Sequence, residues 1–126
     1  MRRISIVAAV LTPGFCAIAL AQGWQAFPAY PGSRELCHQR VHGSTGEIDW
    51  TAYTSSDPPQ VVTAFYEGRL GKPETDSDGS RFRGAKEGAT ERVLSVHAIG
   101  GSYPRCGRDP GPDDRTMLIV SRAIKR

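Results

Sequence analysis

Residues 53–71, YTSSDPPQVVTAFYEGRLG, constrain the fold more than any other stretch of this chain. Asp57 is a residue type that favours the N-cap of a helix, because its carboxylate can accept hydrogen bonds from first-turn N–H groups that have no partner. Pro58 suits the first helical position, and Gly71 with Pro73 is typical of a helix end. Between them, apolar residues recur at spacings of three and four, which predicts an amphipathic helix anchored on a sheet by Val61, Val62, Phe65, Tyr66 and Leu70.

The first 21 residues are organised as a secretory signal peptide. A basic pair at positions 2–3 precedes an uncharged, mostly apolar run over residues 4–20, and residues 19–21 supply an A-x-A cleavage signal. A membrane anchor is the alternative, but a Pro-Gly pair at positions 13–14 interrupts the run, which is short for a spanning helix of about 20 residues. We therefore predict cleavage after Ala21, no transmembrane segment afterwards, and a secreted or periplasmic protein.

Cleavage would leave residues 22–126, and a chain of 105 residues is expected to form one domain with one modest core. The full chain carries 16 basic and 13 acidic residues, a formal charge of +3. Two of the basic residues belong to the signal, so fourteen basic residues face thirteen acidic ones in the mature chain, a net charge of +1. This near balance removes the main argument for a nucleic acid or an acidic membrane as partner, and we predict a monomer.

Two cysteines remain after cleavage, Cys37 and Cys106. In an oxidising compartment, a lone pair of this kind is most simply one structural disulfide. The bond would close a loop of about 70 residues and contribute roughly 4 kcal/mol by restricting the unfolded chain.

Residues 22–33, QGWQAFPAYPGS, space aromatic side chains with Pro and Gly, which predicts an extended aromatic arm rather than a helix. Trp24, Phe27 and Tyr30 either pack against the domain or form an exposed binding surface, and we favour packing. The single α+β domain would then extend from residue 34 to residue 126.

Residues 47–54 alternate well, with Ile48, Trp50 and Ala52 on one face, and this pattern predicts a half-buried strand. Residues 34–42 are ambiguous between a strand and a short helix, and the Gly-bounded turn that follows them favours a hairpin. After the helix, the sequence predicts a polar loop at residues 72–80. Three strands are predicted at residues 80–84, 91–99 and 115–124. A Gly/Pro-rich loop at residues 100–114 separates the last two strands. The order β-β-α-β-β-β predicts a two-layer α+β fold in which one helix packs on an antiparallel sheet of four to five strands.

Histidines are the candidates for chemistry. Cys37, His38 and His42 form a C-H-x-x-x-H cluster of zinc-ligand residue types, but the spacing is unusual and the predicted disulfide would consume Cys37. Ser95 and His97 lie two apart on a predicted strand and so share a face, but the sequence has no nucleophile elbow. The sequence also has no P-loop and no dinucleotide fingerprint, and we predict no cofactor and no metal.

The chain carries YPGS at residues 30–33 and TSSD at residues 54–57, followed by Val61, Phe65, Tyr66 and Leu70. This order resembles a group of small exported bacterial proteins of unknown function. The shared signature runs roughly Y-P-G-[AS], a strand, T-S-D, and a helix with V-x-x-F-Y. Cys106, followed by residues 118–122, is also similar to members with a late cysteine. The resemblance implies an α+β fold and a cell-envelope address, and it implies no activity.

These observations predict a non-enzymatic binding or interaction module of the cell envelope, whose partner is an unknown protein or envelope component. The candidate binding surfaces are the aromatic arm and the loop at residues 100–114, with Trp24, Phe27, Tyr30, Tyr103, Arg105 and Arg108 as their candidate residues. The alternative is a small hydrolase or a metal-dependent enzyme that uses His38, His42 or His97.

Overall fold

The computed structural model describes residues 23–101 and 103–126, and the predicted signal peptide lies outside them. Within this part of the chain one helix and six strands form, which are β1 (Arg34–Gly43), β2 (Gly46–Ser55), α1 (Pro59–Leu70), β3 (Glu74–Asp76), β4 (Gly79–Arg83), β5 (Thr90–Ala98) and β6 (Thr116–Lys125). The prediction of a helix packed on an antiparallel sheet is confirmed, whereas the predicted number of four to five strands is too low. No helix of the described residues is long and apolar enough to cross a membrane.

The six strands form one antiparallel sheet in the order β1-β2-β6-β5-β4-β3. β1 and β2 form a hairpin, and β3, β4 and β5 follow one another as a meander. β6 returns to lie between β2 and β5, and pairs with both. Residues 116–120 at the start of β6 are all buried, as the apolar run in this segment predicted. The two edges of the sheet are therefore β1 and β3.

β3 is the strand that the sequence analysis missed, because its residues fall inside the predicted polar loop. Its three residues are exposed, and Thr75 pairs with Ser80 of β4. An edge strand this short faces solvent and shows no apolar alternation, so its sequence looks like that of a loop. At the opposite edge, the ambiguous residues 34–42 lie in β1, which confirms the hairpin interpretation and excludes the short helix.

α1 is confirmed, but its start and its buried face differ from the prediction. The N-cap is Pro58, and no side chain of the described residues caps the helix. The Asp57 carboxylate instead accepts a hydrogen bond from the Tyr30 hydroxyl at 2.5 Å. The apolar stripe is also narrower than predicted. Val62 and Tyr66 are buried and Phe65 is half-buried, whereas Val61 and Leu70 are exposed. Gly71 ends the helix with a φ of +87°, which favours glycine.

The side of the sheet that carries α1, the helix face, holds the main core. The aromatic arm belongs to this core: Trp24, Phe27 and Tyr30 are only 4%, 4% and 6% exposed. The Trp24 ring stacks on the Tyr53 ring of β2, with 3.9 Å between ring centroids. Packing is therefore the correct interpretation of the arm, and these three rings do not form an exposed binding surface.

The opposite side, the loop face, is covered by residues 99–101 and 103–115 instead of a second helix. Its buried cluster contains Trp50, Ala52, Met117 and Ile119, with Leu36, Cys37, Ile99, Tyr103 and Cys106 packed against it. The predicted disulfide is confirmed, because Cys37 of β1 is bonded to Cys106 of the covering loop, with 6.2 Å between their Cα atoms. The disulfide pins irregular backbone over a sheet face that would otherwise expose apolar side chains.

Candidate functional site

A groove of about 830 Å³ lies on the helix face, between α1 and the β3–β4 hairpin. Cavities of this volume fall within the range of small-molecule sites, roughly 300–1,000 Å³. One wall is the side of α1 that turns away from the core; the floor is made of small side chains, and two cations and one carboxylate lie among the lining residues. The lining residues are Pro59, Gln60, Thr63, Ala64, Glu67, Lys72, Pro73, Thr75, Ser80, Ala98 and Arg115.

The groove exists because the helix is anchored to the sheet along one side only. Val62 and Tyr66 are completely buried beneath α1, and Tyr66 also donates a hydrogen bond to the Pro28 carbonyl at 2.7 Å. The neighbouring helix residues Thr63 and Glu67 line the groove instead. Beneath them, β3, β4 and β5 present only Thr75, Ser80 and Ala98, which are too small to fill the space.

The polar groups at the floor and the end of the groove are held in position by neighbouring side chains and backbone. The hydroxyls of Thr75 and Ser80 lie 3.3 Å apart, so the floor offers a paired hydroxyl site. The Arg115 backbone N–H donates to Ser55 at 2.8 Å, and its carbonyl accepts from Ile99 at 3.2 Å. The backbone of this lining residue is therefore fixed where the chain enters β6.

The histidines His38 and His42 lie on β1 and each faces a carboxylate of β2. His38 donates a hydrogen bond to Asp49, and His42 lies 3.7 Å from Glu47. Cys37 is taken by the disulfide, so the predicted C-H-x-x-x-H cluster does not come together as a ligand set. The described residues contain no group of three or more His, Cys, Asp or Glu side chains that could hold a metal ion.

Asp49 of β2 is a buried carboxylate on the helix face that contacts basic side chains of both neighbouring strands. Besides His38, it accepts from Arg40 at 3.2 Å and contacts Arg122 of β6 at 3.5 Å. Burial alone would raise the pKa of Asp49, but the hydrogen bonds from His38 and Arg40 outweigh it and hold the pKa below its usual value of 3.8. The cluster is a structural ion-pair network that accounts for the burial of this charge.

Ser95 and His97 of β5 are brought together on the loop face. The Ser95 hydroxyl lies 2.8 Å from Nε2 of His97, and Nδ1 of His97 lies 2.7 Å from the Asp78 carbonyl oxygen. The shared face was predicted from the two-residue spacing. The third partner was not, because a backbone carbonyl leaves no signal in the sequence.

The loop residues named as a candidate surface take part in contacts that hold the loop in place. The Arg105 guanidinium lies over the Tyr103 ring, 4.8 Å from its centroid, and Arg108 donates to the Leu36 carbonyl of β1 at 3.2 Å. Both arginines are exposed. They lie on the opposite side of the sheet from the aromatic arm, so the arm and the loop do not form one surface.

Sequence analysis missed the groove because its lining comes from five separate segments and consists mostly of small or polar side chains. Its one sequence signal was the pair Gly71 and Pro73, which predicted the end of α1 and therefore the end of the helix wall. Comparison with protein-family models, with curated proteins and with solved structures finds no match to this chain. The resemblance to small exported bacterial proteins therefore stays a prediction.

Proposed function

We propose that this protein is a small exported binding module of the bacterial cell envelope, and that it holds its ligand in the groove between α1 and the β3–β4 hairpin. The observation that carries the proposal is the groove itself, a cavity of about 830 Å³ beside a well-packed core. The N-terminal signal pattern supports export. The Cys37–Cys106 disulfide supports an oxidising compartment, because such bonds persist in secreted and periplasmic proteins.

The lining residues support a ligand of a particular chemistry. Lys72 and Arg115 supply two positive charges against the single carboxylate of Glu67, so the groove favours a ligand with a negative charge. The paired hydroxyls of Thr75 and Ser80 can donate to carbonyl oxygens of the ligand. The small floor and the alanine side chains leave room for short apolar groups. A short peptide or acylated amino acid with a free carboxylate fits all three features.

Contacts within the protein hold both walls of the groove, which reduces the ordering cost of association. Val62 and Tyr66 fix the helix wall with fully buried side chains. The opposite wall is braced by ion pairs of the β3–β4 hairpin, in which Arg83 donates to Glu74 at 3.1 Å and 3.2 Å. We therefore expect binding without a large change of structure.

The test is an NMR titration with N-acetyl-dialanine as the free acid and as the C-terminal amide. We expect backbone shifts confined to the groove lining, and tighter binding of the acid than of the amide because only the acid carries a charge. Shifts located elsewhere, or no shifts with either probe at millimolar concentration, would refute the proposed site. Equal affinities for acid and amide would refute the role of the two cations.

A matched pair of variants separates filling of the groove from a general effect of added bulk. Ala64 is an exposed helix residue that lines the groove, and Ala89 is an exposed turn residue outside it. Ala64→Trp should abolish the shifts caused by the free acid, whereas Ala89→Trp should leave them unchanged. Loss of the shifts in both variants, or in neither, contradicts the assignment of the groove.

A further inference from the structure

His97 is a buried histidine whose two ring nitrogens have different partners. It is 7% exposed, with Nδ1 at 2.7 Å from the Asp78 carbonyl and Nε2 at 2.8 Å from the Ser95 hydroxyl. A carbonyl oxygen can only accept a hydrogen bond, so Nδ1 carries the ring proton of the neutral imidazole. Nε2 is then left with its lone pair and accepts the hydroxyl proton of Ser95. This tautomer is the one in which a histidine can act as a base towards a serine.

Gly79 keeps this arrangement in place. Its φ is +142°, and a Cβ atom at this position would lie 2.1 Å from the Val96 carbonyl oxygen and 3.2 Å from Nδ1 of His97. Only glycine therefore lets the turn that carries Asp78 approach the imidazole closely enough for the hydrogen bond. The Asp78 carbonyl therefore orients the His97 imidazole, which is the role that a third group plays beside a histidine that acts as a base.

A cationic donor lies next to Ser95 on the neighbouring strand. Arg81 of β4 is the cross-strand partner of Ser95, so the two side chains share the loop face with Cβ atoms roughly 4.5–5.5 Å apart. Nη2 of Arg81 donates to Asp76, whereas Nη1 is buried and has no hydrogen-bond partner among the described residues. A buried, unused N–H of this kind is what a developing oxyanion needs.

We propose that Ser95 is a nucleophile that His97 activates, and that the site hydrolyses small activated esters. Ser95 Oγ attacks the ester carbonyl carbon, its proton passes to Nε2 of His97, and the carbonyl oxygen becomes an oxyanion beside Arg81. The C–O bond to the leaving alkoxide then breaks, and the alkoxide takes the proton from Nε2. Water then attacks the carbonyl carbon of the acyl-serine in the same way, with Nε2 of His97 taking its proton. The bond between Ser95 Oγ and the acyl carbon breaks, which releases the carboxylic acid and restores the Ser95 hydroxyl.

The position of the pair limits the substrate. Ser95 is half-buried on the loop face, on the opposite side of the sheet from the groove, and the Tyr103 ring lies 6.1 Å from the His97 ring. The site is therefore bounded by the sheet and one edge of the covering loop. We expect it to accept small reagents with little selectivity, independently of whatever the groove binds.

The test uses an alkyl fluorophosphonate on the intact folded protein. Reaction forms a bond between Ser95 Oγ and phosphorus and breaks the P–F bond, so fluoride leaves while the serine proton passes through His97 to solvent. We expect a single covalent adduct, located at Ser95 by peptide mapping and absent in Ser95→Ala. If the folded native protein forms no adduct at Ser95, the proposal is overturned.

Two further variants separate activation by histidine from simple exposure of a hydroxyl. His97→Gln keeps a donor and an acceptor for the Asp78 carbonyl and the Ser95 hydroxyl but removes the base, so labelling should slow by roughly a hundredfold. Ser121→Ala removes a hydroxyl on the same face whose partner is the Val93 carbonyl at 3.4 Å rather than a histidine, and labelling should proceed at the native rate. Native-rate labelling of His97→Gln, or loss of labelling in Ser121→Ala, contradicts the proposal.

Discussion

Replacing both cysteines with alanine should remove a large part of the stability of this domain. Cys37 and Cys106 are separated by 69 positions, so the bond closes a loop of about 70 residues in the unfolded chain. The loss of this constraint raises the entropy of the unfolded chain by about 15 cal/mol/K, or about 4 kcal/mol at 25 °C. Domains of this size have a total free energy of unfolding of roughly 5–15 kcal/mol.

Urea unfolding followed by tryptophan fluorescence measures the effect directly. We expect the free energy of unfolding to fall by about 4 kcal/mol, and the m-value to rise because the unfolded chain becomes less compact. With an unfolding entropy of about 2.1 cal/mol/K per residue, the melting temperature should fall by roughly 15–20 °C. The matched control is the native protein treated with a reductant, which should unfold like the double variant.

The same variant tests the role of the covering loop. Trp50 is only 8% exposed beneath residues that the disulfide pins, so its fluorescence should shift towards that of an exposed tryptophan as the loop detaches. A loss of stability below about 1 kcal/mol would refute the reasoning, because it would mean that the loop stays in place through its other contacts and that the unfolded chain gains little freedom.

Three other substitutions test the core, the backbone and the buried charge. Trp24→Ala removes a 4%-exposed ring stacked on Tyr53, and should lower the free energy of unfolding by about 3–5 kcal/mol in denaturant titrations. Gly79→Ala should lower the melting temperature and remove the fluorophosphonate adduct, since its Cβ would lie 2.1 Å from the Val96 carbonyl oxygen; an unchanged melting temperature would contradict the geometry. Asp49 has a lowered pKa when folded, so the stability that it contributes is present above its unfolded pKa, near 3.8, and is lost as pH falls through the folded value. Asp49→Asn should therefore be less stable at pH 7 and show a shallower loss of stability below pH 4 in acid titrations, and an unchanged acid profile would count against the ion-pair network.

Local patterns predicted most of the regular structure. The helical spacing of residues such as Val62 and Tyr66 predicted α1, and the apolar run at residues 117–120 predicted the buried strand β6. The N-cap prediction was wrong because the Asp57 carboxylate is used by Tyr30, a partner 27 positions away. A local motif cannot reveal that a distant side chain competes for the same group.

The candidate sites were harder to predict, since each depends on groups from several strands. Periodicity placed Ser95 and His97 on one face. Spacing could not reveal the Asp78 carbonyl, nor the Arg81 nitrogen that has no partner among the described residues. The groove is the space that small side chains, such as that of Ala98 in its floor, are too short to fill. Empty space results from the packing of the whole domain and has no sequence motif.

The measurement that tests the proposed function most directly is a search for nuclear Overhauser effects between N-acetyl-dialanine and the protein. Ala64 and Ala98 line the groove on its helix wall and its floor, and their methyl groups report on both sides of a bound ligand. We predict effects from the alanine methyl groups of the probe to both residues. Effects only to the covering loop or to β1, or no effects at a probe concentration that saturates the shifts, would contradict the proposal that the groove is the binding site.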